Sequence, residues 1–152
     1  MISPLTGTAH LLSVVGDDGG WLHTSLTSVP AKTFATPTYG TTTSIDYAGN
    51  NASQIVRLGG VSGDTNPQVA LSNDGGNTWF ADYAAPAPTQ SANMYGGQIA
   101  MSANGDTLLW STTSNGVMKS QYQASFATVS TVPAGAVIAS DKVYPLLPAS
   151  RN

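Results

Sequence analysis

The chain has 152 residues, enough for one domain with a sizeable core, and only 9% of them are charged. Five Lys and Arg residues, spread singly, leave no basic patch for a phosphate backbone and argue against a nucleic-acid partner. Cysteine is absent, and His10 and His23 lack a third ligand at metal spacing, so disulfides, thiolate chemistry and a metal site are not expected.

All eight acidic residues are aspartate, which favours turns and caps, and the polar remainder is rich in Gly, Ser, Thr and Asn. Short apolar or alternating runs follow one another along the chain. They are "HLLSVV" (10–15), "WLHTSL" (21–26), "TSIDYA" (43–48), "QIVRLG" (54–59), "QVALSN" (68–73), "TWFADY" (78–83), "GQIAMS" (97–102), "DTLLWS" (106–111), "GVMKSQ" (116–121), "FATVST" (126–131) and "GAVIAS" (135–140). Spacings of roughly ten residues, with "GDDGG", "AGNN", "NDGGN", "SANGD" and "TSNG" supplying hairpin turns, predict an all-β protein. None of these runs nears the roughly 18 residues of a membrane span, so no membrane partner is expected.

The runs also repeat as a group. The stretch from "SIDYAGNN" through "NDGGNTWFADY" lines up with that from "QIAMSANGD" to "FATVS", roughly fifty residues later. Repeats of about 40 to 50 residues with four strands each are blades of a β-propeller. Residues 1–142 are therefore expected to hold about three four-stranded antiparallel blades, near 9–41, 43–84 and 97–132, with another beginning at 135. Propellers close with about four to eight blades, so this set is part of a larger array.

Two carboxylate turns compete for chemistry. Ser72-x-Asp74-x-Gly76-x-Thr78-Trp79 is the Asp-box pattern of certain propellers, in which the aspartate accepts hydrogen bonds from its own turn and the tryptophan packs beneath. A structural role is expected for Ser72, Asp74, Gly76, Thr78 and Trp79, and the matching hairpin "SQYQASF" lacks both Asp and Gly. The other turn, "VVGDDGGW", places Asp17 and Asp18 after an apolar strand, where an Asp can project into a cleft and act as a general acid if desolvation raises its pKa. By composition alone the stretch also reads as an ordinary hairpin. Trp21, Tyr39, Tyr47, Tyr95 and Trp110 are candidate sugar platforms, though Tyr47 and Trp110 alternate within strands as core residues do. Neither a G-x-S-x-G elbow nor a phosphate loop with a following lysine occurs.

Taken together, "ISPLTGTAHLLSVVGDDGGWLHTSL", "PTYGTTTSIDYAGNNASQIVRLGG", "VALSNDGGNTWFADY" and "GDTLLWSTTSNGVMKSQYQASFATVSTVPAGAVIASDK" resemble the second propeller of family 74 glycoside hydrolases over residues 2–142. These are xyloglucan-specific endoglucanases and oligoxyloglucan reducing-end-specific cellobiohydrolases, above all secreted fungal ones. The resemblance implies two seven-bladed propellers holding a polysaccharide in the cleft between them, without a cofactor. It further implies inverting hydrolysis of a β-1,4-glucan by two aspartates, one from each propeller, spaced about 6.5 to 9.5 Å apart. Carried onto this sequence, the general acid falls on Asp17, with Asp18 as a like charge that helps keep it protonated. Asp18, Trp21 and Tyr39 are the candidate substrate contacts. Nothing here matches the first propeller that would bring the partner carboxylate, and "VYPLLPASRN" at 143–152 matches nothing in the family. The chain is thus expected to be a fragment of a secreted enzyme, itself without a signal peptide and inactive alone. Sialidases, with their arginine cluster, and cysteine-bearing sortilin-like modules fit less well, since Arg57 and Arg151 are the only arginines. The alternative is a non-catalytic carbohydrate-binding or structural propeller module.

Overall fold

The computed structural model describes residues 1–31, 33–34, 36–60, 67–85, 96–112, 116–129, 136–139 and 142–145. Every regular element among them is a strand: β1 (Leu11–Val15), β2 (Gly19–His23), β3 (Thr41–Ala48), β4 (Asn51–Gly60), β5 (Val69–Ser72) and β6 (Phe80–Ala81). Then come β7 (Gln98–Met101), β8 (Thr107–Ser111), β9 (Val117–Gln121), β10 (Ala127–Thr128), β11 (Ala136–Ala139) and β12 (Lys142–Pro145). Two four-stranded antiparallel sheets, β3-β4-β5-β6 and β7-β8-β9-β10, follow chain order, and β1-β2 and β11-β12 form hairpins. β12 draws Lys142–Pro145 into a pair with β11, while residues 146–152, the rest of the unmatched tail, lie outside the described residues.

Isolated bridges extend the first hairpin on both sides, Ile2 to Leu12 and Trp21 to Thr33, so four segments pair in the order Ile2, β1, β2, Thr33. β1 then holds a second-strand position. It lies against β3 as β4 lies against β7, while β3 and β7, the first strands of their sheets, lie against each other. Sheets that converge on their first strands are the blades of a propeller.

Alternation explains the packing. β4 is buried on both sides because it is covered by a neighbouring sheet on each. Val56 and Leu58 join Val69, Leu71, Ile99, Met101, Leu108 and Trp110 in one cluster, and Ile55 joins Leu12, Phe34, Tyr39, Ala70 and Trp79 in the other. Trp110 is fully buried, with Phe126 edge-on at 5.8 Å, as expected of a core residue. Tyr95 lies outside the described residues.

Side chains of β3 satisfy backbone groups of β7. Ser44 Oγ accepts from Ile99 N at 3.1 Å and donates to Ile99 O at 3.3 Å, and Asp46 Oδ2 accepts from Met101 N at 2.8 Å. A hydrogen bond to a charged acceptor is worth about 1.5 to 3 kcal/mol. Asp46→Ala is accordingly expected to destabilise the chain by about 1.5 kcal/mol in denaturant unfolding, since Asp46 is only half-buried. An unchanged midpoint would show that this inter-sheet bond contributes nothing.

Candidate active site

The β1-β2 hairpin closes with Val15 opposite Gly19 across the three-residue turn Gly16-Asp17-Asp18. Gly19 follows at φ 75°, the left-handed conformation that a three-residue hairpin needs after its turn, and Gly20 N donates to Asp18 O at 2.9 Å. Asp17 and Asp18 are both exposed. The turn is braced from one side by the segment leading into β3. A side chain at Gly20 would meet Ser13 O at 2.3 Å and Phe34 Cε2 at 2.8 Å, and one at Gly19 would meet Tyr39 O at 3.1 Å.

These contacts also fix which end of the blades Asp17 occupies. Gly19 adjoins Thr42, which pairs with Gly59 at the end of the second sheet remote from the Ala48–Asn51 hairpin. Leu12, four residues before the first turn, instead lies against Gly76. Gly75 N donates to Ser53 O, so the 72–79 turn sits at the Ala48–Asn51 end. Asp17 and Asp74 thus mark opposite ends of the blades.

Asp74 is consumed by its own turn. It accepts from Thr78 N at 2.8 Å, Thr78 Oγ1 at 2.5 Å and Ser72 Oγ at 2.9 Å, while Ser72 Oγ accepts from Gly76 N at 2.9 Å and Trp79 Nε1 donates to Gly76 O at 3.0 Å. Burial pushes the Asp74 carboxyl up, but the bonds from Thr78, Ser72 and Asn77 outweigh it and hold the group below its ordinary value. Asp74→Ala is expected to cost about 1 kcal/mol at neutral pH, a figure reduced by the exposure of the turn. A carboxyl whose folded pKa is depressed stabilises above its unfolded pKa and ceases to do so as pH falls through the folded value. The gap between variant and parent in thermal midpoint should therefore close below about pH 4; a gap that persists there would contradict the charge-based account.

The other expected contacts divide. Trp21 is half-buried, opposite Ser13 on β1 and bridged to Thr33. Tyr39 is 4% exposed, its hydroxyl donating to Pro67 O at 2.9 Å and its ring standing 4.8 Å from the Arg57 guanidinium. That burial corrects the reading of Tyr39 as a sugar platform: its ring belongs to the core.

Three features escape the sequence reading. Arg57 is fully buried among Phe34, Tyr39 and Trp79, at 5.2, 4.8 and 4.7 Å from their ring centres. Desolvation lowers its pKa to about 10, which leaves it charged at neutral pH. The signal was an arginine inside the otherwise apolar "QIVRLGG". Ser102 and Asp106 form a second carboxylate turn, Ser102 Oγ donating to Asp106 Oδ1 at 2.6 Å, which the "SANGD" stretch offered only as a hairpin. Finally, burial pushes up the pKa of Asp82, which is 4% exposed and caps its own turn through Ala84 N. Nothing about "FADY" announced a buried carboxyl. Among the described residues no cluster of three or more His or Asp residues that could hold a metal occurs.

Sheets of this kind are blades of a β-propeller, and one of them presents an exposed aspartate on a glycine-braced turn at its end. Comparison with known proteins narrows this. No family model matches the chain. It is 53% identical over 139 residues to a xyloglucanase of Hypocrea jecorina, covering 90% of this chain and 16% of that one. A xyloglucanase of a Paenibacillus species is 40% identical over 149 residues, with 95% and 14% covered. The crystal structure of the GH74 xyloglucanase from Xanthomonas campestris superposes with a TM-score of 0.73 at 29% identity, over 90% of this chain and 19% of that one. The Niastella koreensis GH74 enzyme does so with a TM-score of 0.58 at 30% identity, over 76% and 15%. The chain belongs to glycoside hydrolase family 74, and it spans about a sixth of the length of the curated relatives it matches.

Proposed function

We propose that this segment contributes Asp17 as the general acid of an inverting xyloglucan hydrolase, and that the segment belongs to the second of that enzyme's two propellers. The observation that carries the reading is the exposed Asp17 turn, held by Gly20, which has no room for a side chain, and by Gly19 at positive φ, and placed at the end of the blades away from the self-satisfied Asp74. A solvent-facing carboxyl at a blade end can meet a polysaccharide lying across it. The second carboxyl, which activates water on the opposite face of the sugar, comes from the first propeller of the complete enzyme, at a separation of about 6.5 to 9.5 Å. In the complete enzyme the partner propeller would cover Asp17 and exclude water from it, with Asp18 beside it on the same turn. Asp18 and Trp21, on the turn and on the strand leaving it, flank the path of the glucan. The 72–79 turn is the structural Asp-box of its blade.

The similarity to xyloglucanases supports an extracellular polysaccharide as substrate, and the 53% identity to the Hypocrea enzyme supports a secreted fungal parent. The test is substitution of Asp17 in a complete enzyme carrying this segment, assayed by release of reducing ends from xyloglucan. Loss of turnover is expected, and full activity would refute the assignment.

A further inference from the structure

We infer that Asn51 is an N-glycosylation acceptor. Asn51-Ala52-Ser53 is the one N-x-Ser/Thr triplet in the whole sequence, since no other asparagine is followed two positions later by serine or threonine. Asn51 opens β4 opposite Ala48, at the tip of the β3-β4 hairpin, and Asn51 and Ser53 are both exposed. The inference rests on the reading of the parent as secreted by a eukaryote, the setting in which such triplets meet the transferase.

The local geometry suits the modification. In the folded chain Ser53 N donates to Asn51 Oδ1 at 3.3 Å, a bond that uses the amide oxygen and leaves Nδ2 as the atom to carry a glycan. In the reaction Asn51 Nδ2 bonds to the anomeric carbon of a polyprenyl-pyrophosphate-linked oligosaccharide. The bond from that carbon to the pyrophosphate breaks, the lipid pyrophosphate leaves with the electron pair, and one amide proton is released. The remaining N–H can keep its bond to Gln54 Oε1, now 3.3 Å. Placement is permissive too. The triplet lies at the end of the blades shared with the 72–79 turn, because Gly75 N bonds to Ser53 O, and so stands opposite the Asp17 end. A glycan there leaves the glucan path clear.

The test is translation of the chain behind a secretory leader in the presence of endoplasmic-reticulum microsomes, where transfer acts on the growing polypeptide without waiting for the fold. One upward mobility step is expected, removed by peptide N-glycosidase F, abolished by Asn51→Gln and by Ser53→Ala, and kept by Ser53→Thr. Translocated, protease-protected chain without that step would overturn the inference, as would a step that survives Asn51→Gln. The readout is mass and not activity, so either result leaves the Asp17 assignment to stand or fall on its own experiment.

Discussion

Asp17→Asn, made in a complete enzyme that carries this segment, is expected under the proposed assignment to lower kcat/KM on xyloglucan by about 10²- to 10⁴-fold. The size follows from the task. An alkoxide of a sugar is a poor leaving group, and the acid supplies its proton as the bond breaks; each tenfold of rate is about 1.36 kcal/mol of barrier, so about 3 to 5 kcal/mol of transition-state stabilisation disappears. Asparagine keeps the shape of the turn, because the observed support of that turn comes from Gly19, Gly20 and the Asp18 carbonyl and does not use the Asp17 carboxyl. The loss should then depend on the leaving group. An oligosaccharide glycoside of an acidic phenol needs no proton, and the variant should cleave it within about tenfold of the parent rate. Equal losses on both substrates would show that Asp17 positions the glucan or activates water, and unchanged activity on xyloglucan would remove it from the reaction altogether. Asp74→Asn serves as the contrast. Its carboxyl is spent on Thr78 and Ser72 at the other end of the blades, so turnover should not change.

The strands were legible because alternation and turn chemistry are local. "NDGGN" and "GDDGG" name their hairpins by glycines that sit at positive φ in the structure, and "QIVRLG" reads as a strand, which the structure covers on both sides. The repeat gave the blades for the same reason. What stayed hidden depends on contacts between segments distant in sequence. Ile2 pairs with Leu12 through a single bridge, too little to leave a periodic signal, yet that pairing makes β1 a second strand and sets its turn at the end opposite Asp74. Tyr39 lies in "PTYGTT", which reads as a loop, so its burial follows only from the approach of Gly59 and Pro67. Asp17 was singled out by resemblance to a family motif and not by composition, which could not tell its turn from any other glycine-rich hairpin. The structure adds exposure and bracing to that motif.

Arg57→Ala is expected to destabilise the chain by about 3 to 5 kcal/mol, the range for large-to-small changes at fully buried sites and for disrupted buried charges. Three rings surround the guanidinium, and its Nη2 donates to Pro37 O, so truncation leaves a void, three ring faces without their cation and a half-buried carbonyl without this donor. Arg57→Met restores much of the volume but neither the charge nor the hydrogen bond, and should recover about half of the loss. The same cage reaches the candidate site. The Phe34 ring lies against Gly20 and the Tyr39 backbone carbonyl against Gly19, so two residues whose rings hold Arg57 also brace the Asp17 turn. In a complete enzyme, Arg57→Met should therefore lower kcat more than it raises KM, because a loosened acid still allows the glucan to bind. Denaturant unfolding of the three proteins decides the packing claim. Equal stabilities of the alanine and methionine variants would mean that the guanidinium, and not the filled volume, holds the first hairpin to the second sheet; equal stabilities of all three would sink the cage as a structural element.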